Sequence, residues 1–204
     1  MVVKGGLKTI EAASPQYWID CMNVPCANSS GTPDNAFAWA QREHNGSVYS
    51  WGSYPYVDGN CIFWDPPHDC LSNGTLIGAK TPVSGYSHTQ VANETDLMLA
   101  VAQQPVSIAI YSSVGTFTTY TGGVWYDKDC EDVTADMLDH AVLLVGYGTT
   151  AATATNDAED YWIVKNSWGS KWGEDGYIRM KRNVRSDSGL CGLAIDASYP
   201  NIGY

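Results

Sequence analysis

Two apolar runs, each flanked by one polar side chain of a catalytic type, constrain this chain more than any other feature. His140 precedes the run 141–145, and Asn166 follows the run 161–165. Short runs rich in β-branched and bulky apolar residues predict buried strands, and we expect the run 141–145 to be buried on both faces. Neighbouring strands would hold the imidazole and the amide rigidly side by side. A hydrolase needs this arrangement of its general base and the group that orients it.

Helix signals come first along the chain and strand signals come later. The N-cap patterns Ser14-Pro15, Thr32-Pro33 and Asn93 each precede a predicted helix. The predicted helices are 16–20, 34–45 and 94–103. The predicted strands are 106–111, 117–121, 124–126, 141–145, 161–165 and 177–181. This order predicts an α+β fold.

Composition limits the classes of partner. The 204 residues suffice for one large domain or two small lobes. The formal net charge of −11 argues against nucleic acid as a main partner, because phosphate binding needs a basic surface. The sequence has no run of eighteen apolar residues, so we expect no segment that spans a membrane.

The six cysteines predict disulfide bonds rather than a metal site. They form no Cys-x-x-Cys pair, so we expect no zinc, other metal or cofactor. An even cysteine count fits an oxidising compartment, and the glycosylation sequons agree with it. The four sequons begin at Asn28, Asn45, Asn73 and Asn93.

A series of short motifs extends through the chain. They are Tyr54-Pro55-Tyr56, Pro105-Val106-Ser107, Gly122-Gly123-Val124, Asp139-His140-Ala141, Val145-Gly146-Tyr147-Gly148, Lys165-Asn166-Ser167-Trp168-Gly169, Trp172-Gly173, Gly176-Tyr177, Cys191-Gly192-Leu193 and Tyr199-Pro200, with the segment 14–21 before them. In this order the motifs resemble the papain family of cysteine peptidases, and the likeness covers nearly every residue from position 14 to position 200.

The resemblance implies a papain-like fold of two lobes with the active site in the cleft between them. The helical lobe would lie in 1–82 and would be incomplete. The β-rich lobe would span 83–204 and carry His140 and Asn166.

The resemblance also implies catalytic roles. In the family, a cysteine thiolate attacks the peptide carbonyl and a histidine protonates the leaving amine. His140 is then the acid and base, and Asn166 holds its ring in the productive orientation. Trp168 would cover the bond between them, and Trp172 would lie on the leaving-group side. Simple core packing is the alternative role for both tryptophans.

The family's nucleophile motif, Cys-Gly-Ser/Ala-Cys-Trp with a preceding glutamine, does not occur in these 204 residues. Its cysteine is expected about 130–150 residues before the histidine and asparagine, near or before Met1. We therefore expect these 204 residues to be the C-terminal portion of a longer protein and to be inactive alone. We also expect the lack of a central helix to destabilise them. For the full-length protein we expect a lysosomal, vacuolar or extracellular location.

By motif position, the resemblance pairs Cys21 with Cys61 and Cys130 with Cys191. Two cysteines are then left over, Cys26 and Cys70. A bond between them is one option, but sequence alone leaves the connectivity open.

The resemblance also implies which residues bind the substrate. Gly31 would contact the substrate backbone, and Asp196 would lie at the bottom of the S2 pocket. A carboxylate there would admit arginine as well as apolar side chains. A solvated surface aspartate is the alternative. The remaining predicted substrate-binding residues are Pro33, Ala109, Leu138, Asp139 and Ala141.

The leading prediction is a monomeric papain-like endopeptidase that acts on peptides or proteins and has a propeptide or protein inhibitor as a further partner. A non-catalytic papain-like protein that binds peptides or another protein is the alternative. A third hypothesis uses Cys26 or Cys70 as nucleophile on the same histidine and asparagine. Neither cysteine has a helix-start context that would lower its pKa.

Overall fold

The computed structural model describes residues 12–22, 31–57, 70, 74–77, 82–155 and 157–202. These residues form two compact units. The first unit is the described part of 1–87 with 200–202, and the second is the described part of 88–199.

Two N-capped helices lie in the first unit, as predicted. Helix α1 (Pro15–Cys21) begins where the Ser14 hydroxyl accepts a hydrogen bond from the Tyr17 amide at 3.0 Å. Helix α2 (Pro33–Arg42) is capped by Thr32, whose hydroxyl accepts a hydrogen bond from the Asn35 backbone N–H.

Helix α2 ends three residues before the predicted end at Asn45. Asn45 has a left-handed backbone with φ of 51°. The next residue, Gly46, lies so close to Val83 that an added Cβ would be 2.4 Å from the Val83 carbonyl oxygen. The positive φ angles of Asn45 and Gly46 turn the chain away from the helix, and the close approach to Val83 leaves no room for a side chain at position 46.

The first unit has an aromatic core and short strands. Among its described residues, β1 (Val48–Tyr49) pairs antiparallel with β2 (Leu76–Ile77), and β3 (Val83–His88) follows. Tyr54 is buried and donates a hydrogen bond to the Asp20 carboxylate at 2.8 Å. The buried core residues are Tyr17, Tyr49 and Tyr54, with Cys21 and Trp39 packed against them.

The second unit is built on a mixed sheet. Helix α3 (Glu94–Val101) precedes it and is capped by Asn93 as predicted. Within the described residues, the strands follow the spatial order β9-β4-β6-β7-β8-β5, and only the contact of β5 with β8 is parallel. Their bounds are β4 (Val106–Ile110), β5 (Val124–Trp125), β6 (His140–Thr149), β7 (Asp160–Lys165), β8 (Tyr177–Lys181) and β9 (Ala197–Ile202). Helices before a sheet confirm the α+β prediction.

Two predictions about this sheet were wrong. Strand β6 is not buried on both faces, because Val142 and Leu144 are buried while Ala141 is exposed. The predicted strand 117–121 is instead the short helix α4 (Gly115–Thr118) and the turn after it. A helical turn places Phe117 and Tyr120 on one face, and both are buried.

The disulfides confirm one predicted pair and correct the other. Cys130 bonds Cys191, and both residues are fully buried. Cys21 bonds Cys70, so the prediction that it pairs with Cys61 was wrong. The Cα atoms of Cys21 and Cys70 are 4.8 Å apart, which suits a disulfide, whereas sequence position could not reveal this approach. Cys26 and Cys61 lie outside the described residues.

Within the described ranges, the structure contains no helix that is both long enough and apolar enough to cross a membrane.

Candidate active site

The antiparallel pairing of β6 and β7 brings His140 and Asn166 to one edge of the sheet. His140 is the first residue of β6, and Asn166 follows the last residue of β7. Leu143 lies opposite Lys165, so the start of one strand is beside the end of the other. The backbone N–H of Asn166 also donates to the Gly176 carbonyl oxygen at 2.9 Å, which fixes the backbone of Asn166.

The hydrogen bond between these side chains defines the histidine tautomer. His140 Nε2 lies 2.9 Å from Asn166 Oδ1. The same oxygen accepts a hydrogen bond from the Ser167 backbone N–H at 2.7 Å, so the atom in this position must be oxygen rather than nitrogen. An amide oxygen only accepts, and His140 Nε2 therefore carries the proton. In the neutral ring, Nδ1 is then free to accept a proton.

Burial makes this bond stronger than a surface contact. Asn166 is only 6% exposed, and His140 is half-buried. A low local dielectric strengthens a satisfied hydrogen bond. Among the described residues, no acceptor faces Asn166 Nδ2, although that atom is buried. The site therefore keeps the asparagine in place despite an unfavourable desolvation of its amide group.

The indole ring of Trp168 stacks on the ring of His140. Their centroids are 5.1 Å apart with an interplanar angle of 30°. Trp168 is 42% exposed, so part of its ring remains open to solvent. Trp172 meets Trp168 edge to face at 5.4 Å and packs against the core of the second unit. Core packing of Trp172 is thus compatible with its predicted position on the leaving-group side.

Phe117 supports this arrangement, and it was missed in the sequence because its segment was predicted as a strand. It is fully buried and contacts Trp168 edge to face at 5.5 Å. Its ring also lies 5.3 Å from Trp172 and 6.5 Å from His140. The only available signal was the i, i+3 spacing of Phe117 and Tyr120.

A tight loop between β7 and β8 presents both tryptophans. The Trp172 amide donates to the Gly169 carbonyl, and the Gly176 amide donates to the Trp172 carbonyl. Gly173 has φ of 58°, and an added Cβ would lie 2.5 Å from the Tyr177 carbonyl oxygen. Only glycine fits this position without moving the loop. The Trp172 indole N–H donates to the Thr118 carbonyl at 3.2 Å.

The carboxylate of Asp139, next to His140, is held by two serines that sequence reasoning missed, because no motif marks them. It accepts from the Ser112 amide at 2.7 Å, the Ser112 hydroxyl at 2.9 Å and the Ser113 hydroxyl at 2.5 Å. Partial desolvation raises the pKa of Asp139, but the hydrogen bonds from Ser113 and Ser112 outweigh it and bring this pKa below its ordinary value. The carboxylate therefore stays charged beside the histidine.

The structure brings together part of the predicted S2 set. Ala109 on β4 lies opposite Ala141 on β6, and its amide donates to the Asp196 carbonyl oxygen at 2.9 Å. Asp196 is half-buried, and Leu138 packs near Gly192.

Two other predicted substrate-binding residues belong to the first unit. Gly31 is exposed and precedes helix α2, whose first residue is Pro33.

The hypothesis that Cys70 is a nucleophile was wrong, because its sulfur is bonded to Cys21. A disulfide sulfur carries no thiolate. Cys26 lies outside the described residues.

Comparison with known proteins agrees with this geometry. The family model described as papain family cysteine protease matches residues 2–201. The cysteine proteinase COT44 of Brassica napus is 39% identical over 204 residues, covering 98% of this chain and 54% of the relative. Cathepsin K of Mus musculus is 36% identical over 192 residues, covering 94% of this chain and 51% of the relative. The chain spans about half the length of the curated relatives it matches.

Among solved structures, the chain is similar to the bromelain protease from Ananas comosus in complex with the E64 inhibitor. The TM-score is 0.73 at 34% identity, with 95% of this chain and 79% of that chain covered. A Carica candamarcensis cysteine protease in complex with E-64 gives a TM-score of 0.72 at 29% identity, with 95% of this chain and 78% of that chain covered.

Removal of one serine hydroxyl should change the titration of Asp139. Ser113→Ala deletes a donor to the carboxylate, so we expect the Asp139 pKa to rise toward its ordinary value. Because the folded pKa is depressed, these bonds stabilise the fold above the unfolded pKa of about 3.9, and that stabilisation is lost as the pH falls through the folded pKa. Carboxyl carbon NMR titration measures the change.

Ser186→Ala is the matched control, since the Ser186 hydroxyl bonds only the Ser188 hydroxyl among the contacts found for it. An unchanged or lower Asp139 pKa in Ser113→Ala would contradict the assignment of the shift to hydrogen bonding.

Proposed function

Because the chain belongs to the papain family of cysteine proteases, we propose that it supplies the base side of a cysteine-type endopeptidase active site. The observation that carries the proposal is the bond of 2.9 Å from His140 Nε2 to Asn166 Oδ1 beneath the ring of Trp168. It leaves Nδ1 as the one basic nitrogen of the neutral ring, which is what proton transfer from a thiol requires.

The proposed reaction has two steps. In the first, His140 Nδ1 takes the proton of a cysteine thiol, and the thiolate attacks the peptide carbonyl carbon. The tetrahedral intermediate then collapses, and the same proton passes to the leaving amine as the C–N bond breaks, which leaves a thioester. In the second step, His140 takes a proton from water, the water oxygen attacks the thioester, and the thiol leaves with that proton.

Asn166 orients the imidazole through both steps. The ring alternates between neutral and cationic forms, and Nε2 carries a proton in each. The hydrogen bond to Oδ1 therefore persists throughout the cycle while Nδ1 exchanges its proton. The stacking of Trp168 on His140 supports its predicted covering role, in which it would limit the access of water to this bond.

We propose that the catalytic thiol is supplied from outside these 204 residues. The Cys-Gly-Ser/Ala-Cys-Trp motif is absent from the 204 residues, and Cys21, Cys70, Cys130 and Cys191 are in disulfides. We therefore propose that the 204 residues alone do not hydrolyse peptides. The disulfides support an oxidising location. We propose that the full-length protein follows the secretory route to a lysosome, a vacuole or the cell exterior.

We propose the two-lobe division for the complete enzyme, with the sheet of the second unit as the core of the β-rich lobe. The pairing of His140 and Asn166 within that sheet supports this assignment. A peptide or protein substrate is the proposed partner, and a propeptide or protein inhibitor would occupy the same site.

The central test compares the 204-residue chain with a chain extended by its in-frame upstream sequence. We expect a glutamine and a Cys-Gly-Ser-Cys-Trp segment upstream, and peptide hydrolysis only by the extended chain. His140→Ala should lower kcat/KM by at least about a thousandfold, since it removes general acid–base catalysis and thiolate formation together. Leu99→Ala, an exposed position of α3, should leave activity unchanged.

A thiol-directed active-site inhibitor should label the extended chain stoichiometrically. Labelling of the 204-residue chain that depends on His140 would contradict its proposed inactivity. An upstream segment without cysteine would instead favour a non-catalytic protein that binds peptides.

The S2 proposal has its own test. If the Asp196 carboxylate pairs with a substrate arginine, Asp196→Ala in the extended chain should lower cleavage of substrates with arginine at P2 by about tenfold or more and spare those with phenylalanine. Asp157→Ala removes the same charge from an exposed connection and is the matched control. Equal cleavage of arginine substrates by Asp196→Ala would refute the role.

A further inference from the structure

A closed network of hydrogen bonds fixes the far end of the loop that carries the two tryptophans. Glu174 lies near the end of this loop, just before β8, and is about one-third exposed, as is its partner Arg179. One carboxylate oxygen accepts from Arg179 Nη2 at 2.6 Å and from the Gly123 amide at 2.9 Å, and the other accepts from Arg179 Nε at 2.9 Å. A bidentate pair of this kind fixes orientation as well as distance.

Tyr120 closes the network on the opposite side. Its hydroxyl donates to the Gly123 carbonyl oxygen at 2.7 Å and accepts from the Arg179 backbone N–H at 3.3 Å. We call these four residues, Glu174, Arg179, Gly123 and Tyr120, the Glu174 network. It joins strand β8, the Gly122-Gly123 turn and the segment after α4, so a movement of one segment relative to the others breaks at least one of these bonds.

The Glu174 network reaches His140 through packed rings. Tyr120 lies 5.7 Å from Trp172, and Trp172 lies 5.4 Å from Trp168. Trp168 in turn stacks on His140 at 5.1 Å. Every contact in this path lies within the second unit.

We propose that Glu174 is a positioning residue for His140: it anchors the tryptophan loop so that Trp168 stays stacked on the imidazole and limits water access to the bond with Asn166. The catalytic consequence depends on the proposed peptidase function, but the positioning itself does not. An ordinary surface ion pair would stabilise the sheet without affecting the imidazole, and the two roles therefore differ in a measurable way.

The network keeps its charges under mildly acidic conditions. Hydrogen bonds from Arg179 outweigh partial burial and bring the pKa of Glu174 below its ordinary value. The groups that face its carboxylate are Arg179, Tyr120 and the Gly123 amide. The ion pair thus remains intact at pH values where an unpaired glutamate begins to protonate.

The test measures the exchange with water of the Nε2 proton of His140 by NMR on the histidine-labelled chain. Glu174→Ala removes the whole carboxylate, so we expect exchange at least about tenfold faster than in the parent, because opening of the loop becomes easier. Glu174→Gln should give an intermediate rate, since its amide oxygen still accepts from the Gly123 amide while the charge on Arg179 loses its partner. Trp168→Ala provides the rate for an uncovered ring.

Glu159→Gln is the matched control, because Glu159 forms an ion pair with Lys181 on the same strand as Arg179. We expect its exchange rate to equal that of the parent. Protection of the Val164 and Ile178 backbone amides from hydrogen exchange shows that each variant is folded. If Glu174→Ala loses this protection, the exchange rate of Glu174→Gln tests the proposal. Parent-like exchange in a folded Glu174 variant, with fast exchange in Trp168→Ala, would overturn the proposal.

In the extended chain, the Glu174 variants should lower kcat with little change in KM. If the extended chain shows no peptidase activity while the exchange rates change as expected, the proposed function fails and the positioning role stands. If activity is present and kcat does not change, the catalytic role of Glu174 is refuted.

Discussion

The hydrogen bond from His140 to Asn166 is the interaction on which the rest of the site depends. It joins the start of β6 to the end of β7, so it exists only in one pairing register of these strands. The facing residues Leu144 and Val164 are both fully buried, and they select that register. A slip by one residue would turn the asparagine to the opposite face of the sheet and would expose the apolar residues. The same burial that stabilises the sheet therefore places His140 and Asn166 side by side.

Around this bond, aromatic rings determine how strongly the pair is held. Trp168 stacks on the imidazole, while the buried Phe117 contacts the tryptophan edge to face. The tryptophan loop is itself held at Gly173, where the backbone leaves no room for a side chain, and at Glu174, where an ion pair closes the loop. The site thus combines a rigid sheet, which positions the two polar groups, with a loop whose anchoring controls the access of water.

The sequence predicted the parts of the site that contiguous motifs carry and missed those that depend on tertiary contacts. His140, Asn166 and the helix N-caps are signalled by neighbouring residues, and the structure places each at the expected element. Phe117 was missed because the Gly122-Gly123 turn signal led to a strand prediction for its segment, whereas the burial of one helical face decides the conformation. The pairing of Cys21 with Cys70 was mispredicted because disulfide connectivity depends on the path of the chain between the cysteines, and their 48 intervening residues specify no partner.

The tautomer of His140 in the 204-residue chain tests the hydrogen bond to Asn166 most directly. Ring nitrogen chemical shifts near neutral pH, together with the coupling of each nitrogen to its proton, distinguish the two neutral forms. We predict a ring protonated at Nε2, with no proton on Nδ1 and with an Nε2 proton that remains visible in the NMR spectrum because it is bonded to Asn166. Protonation at Nδ1, or rapid averaging of the two forms, would show that the bond between His140 and Asn166 is not preformed and would contradict the proposed role of Asn166.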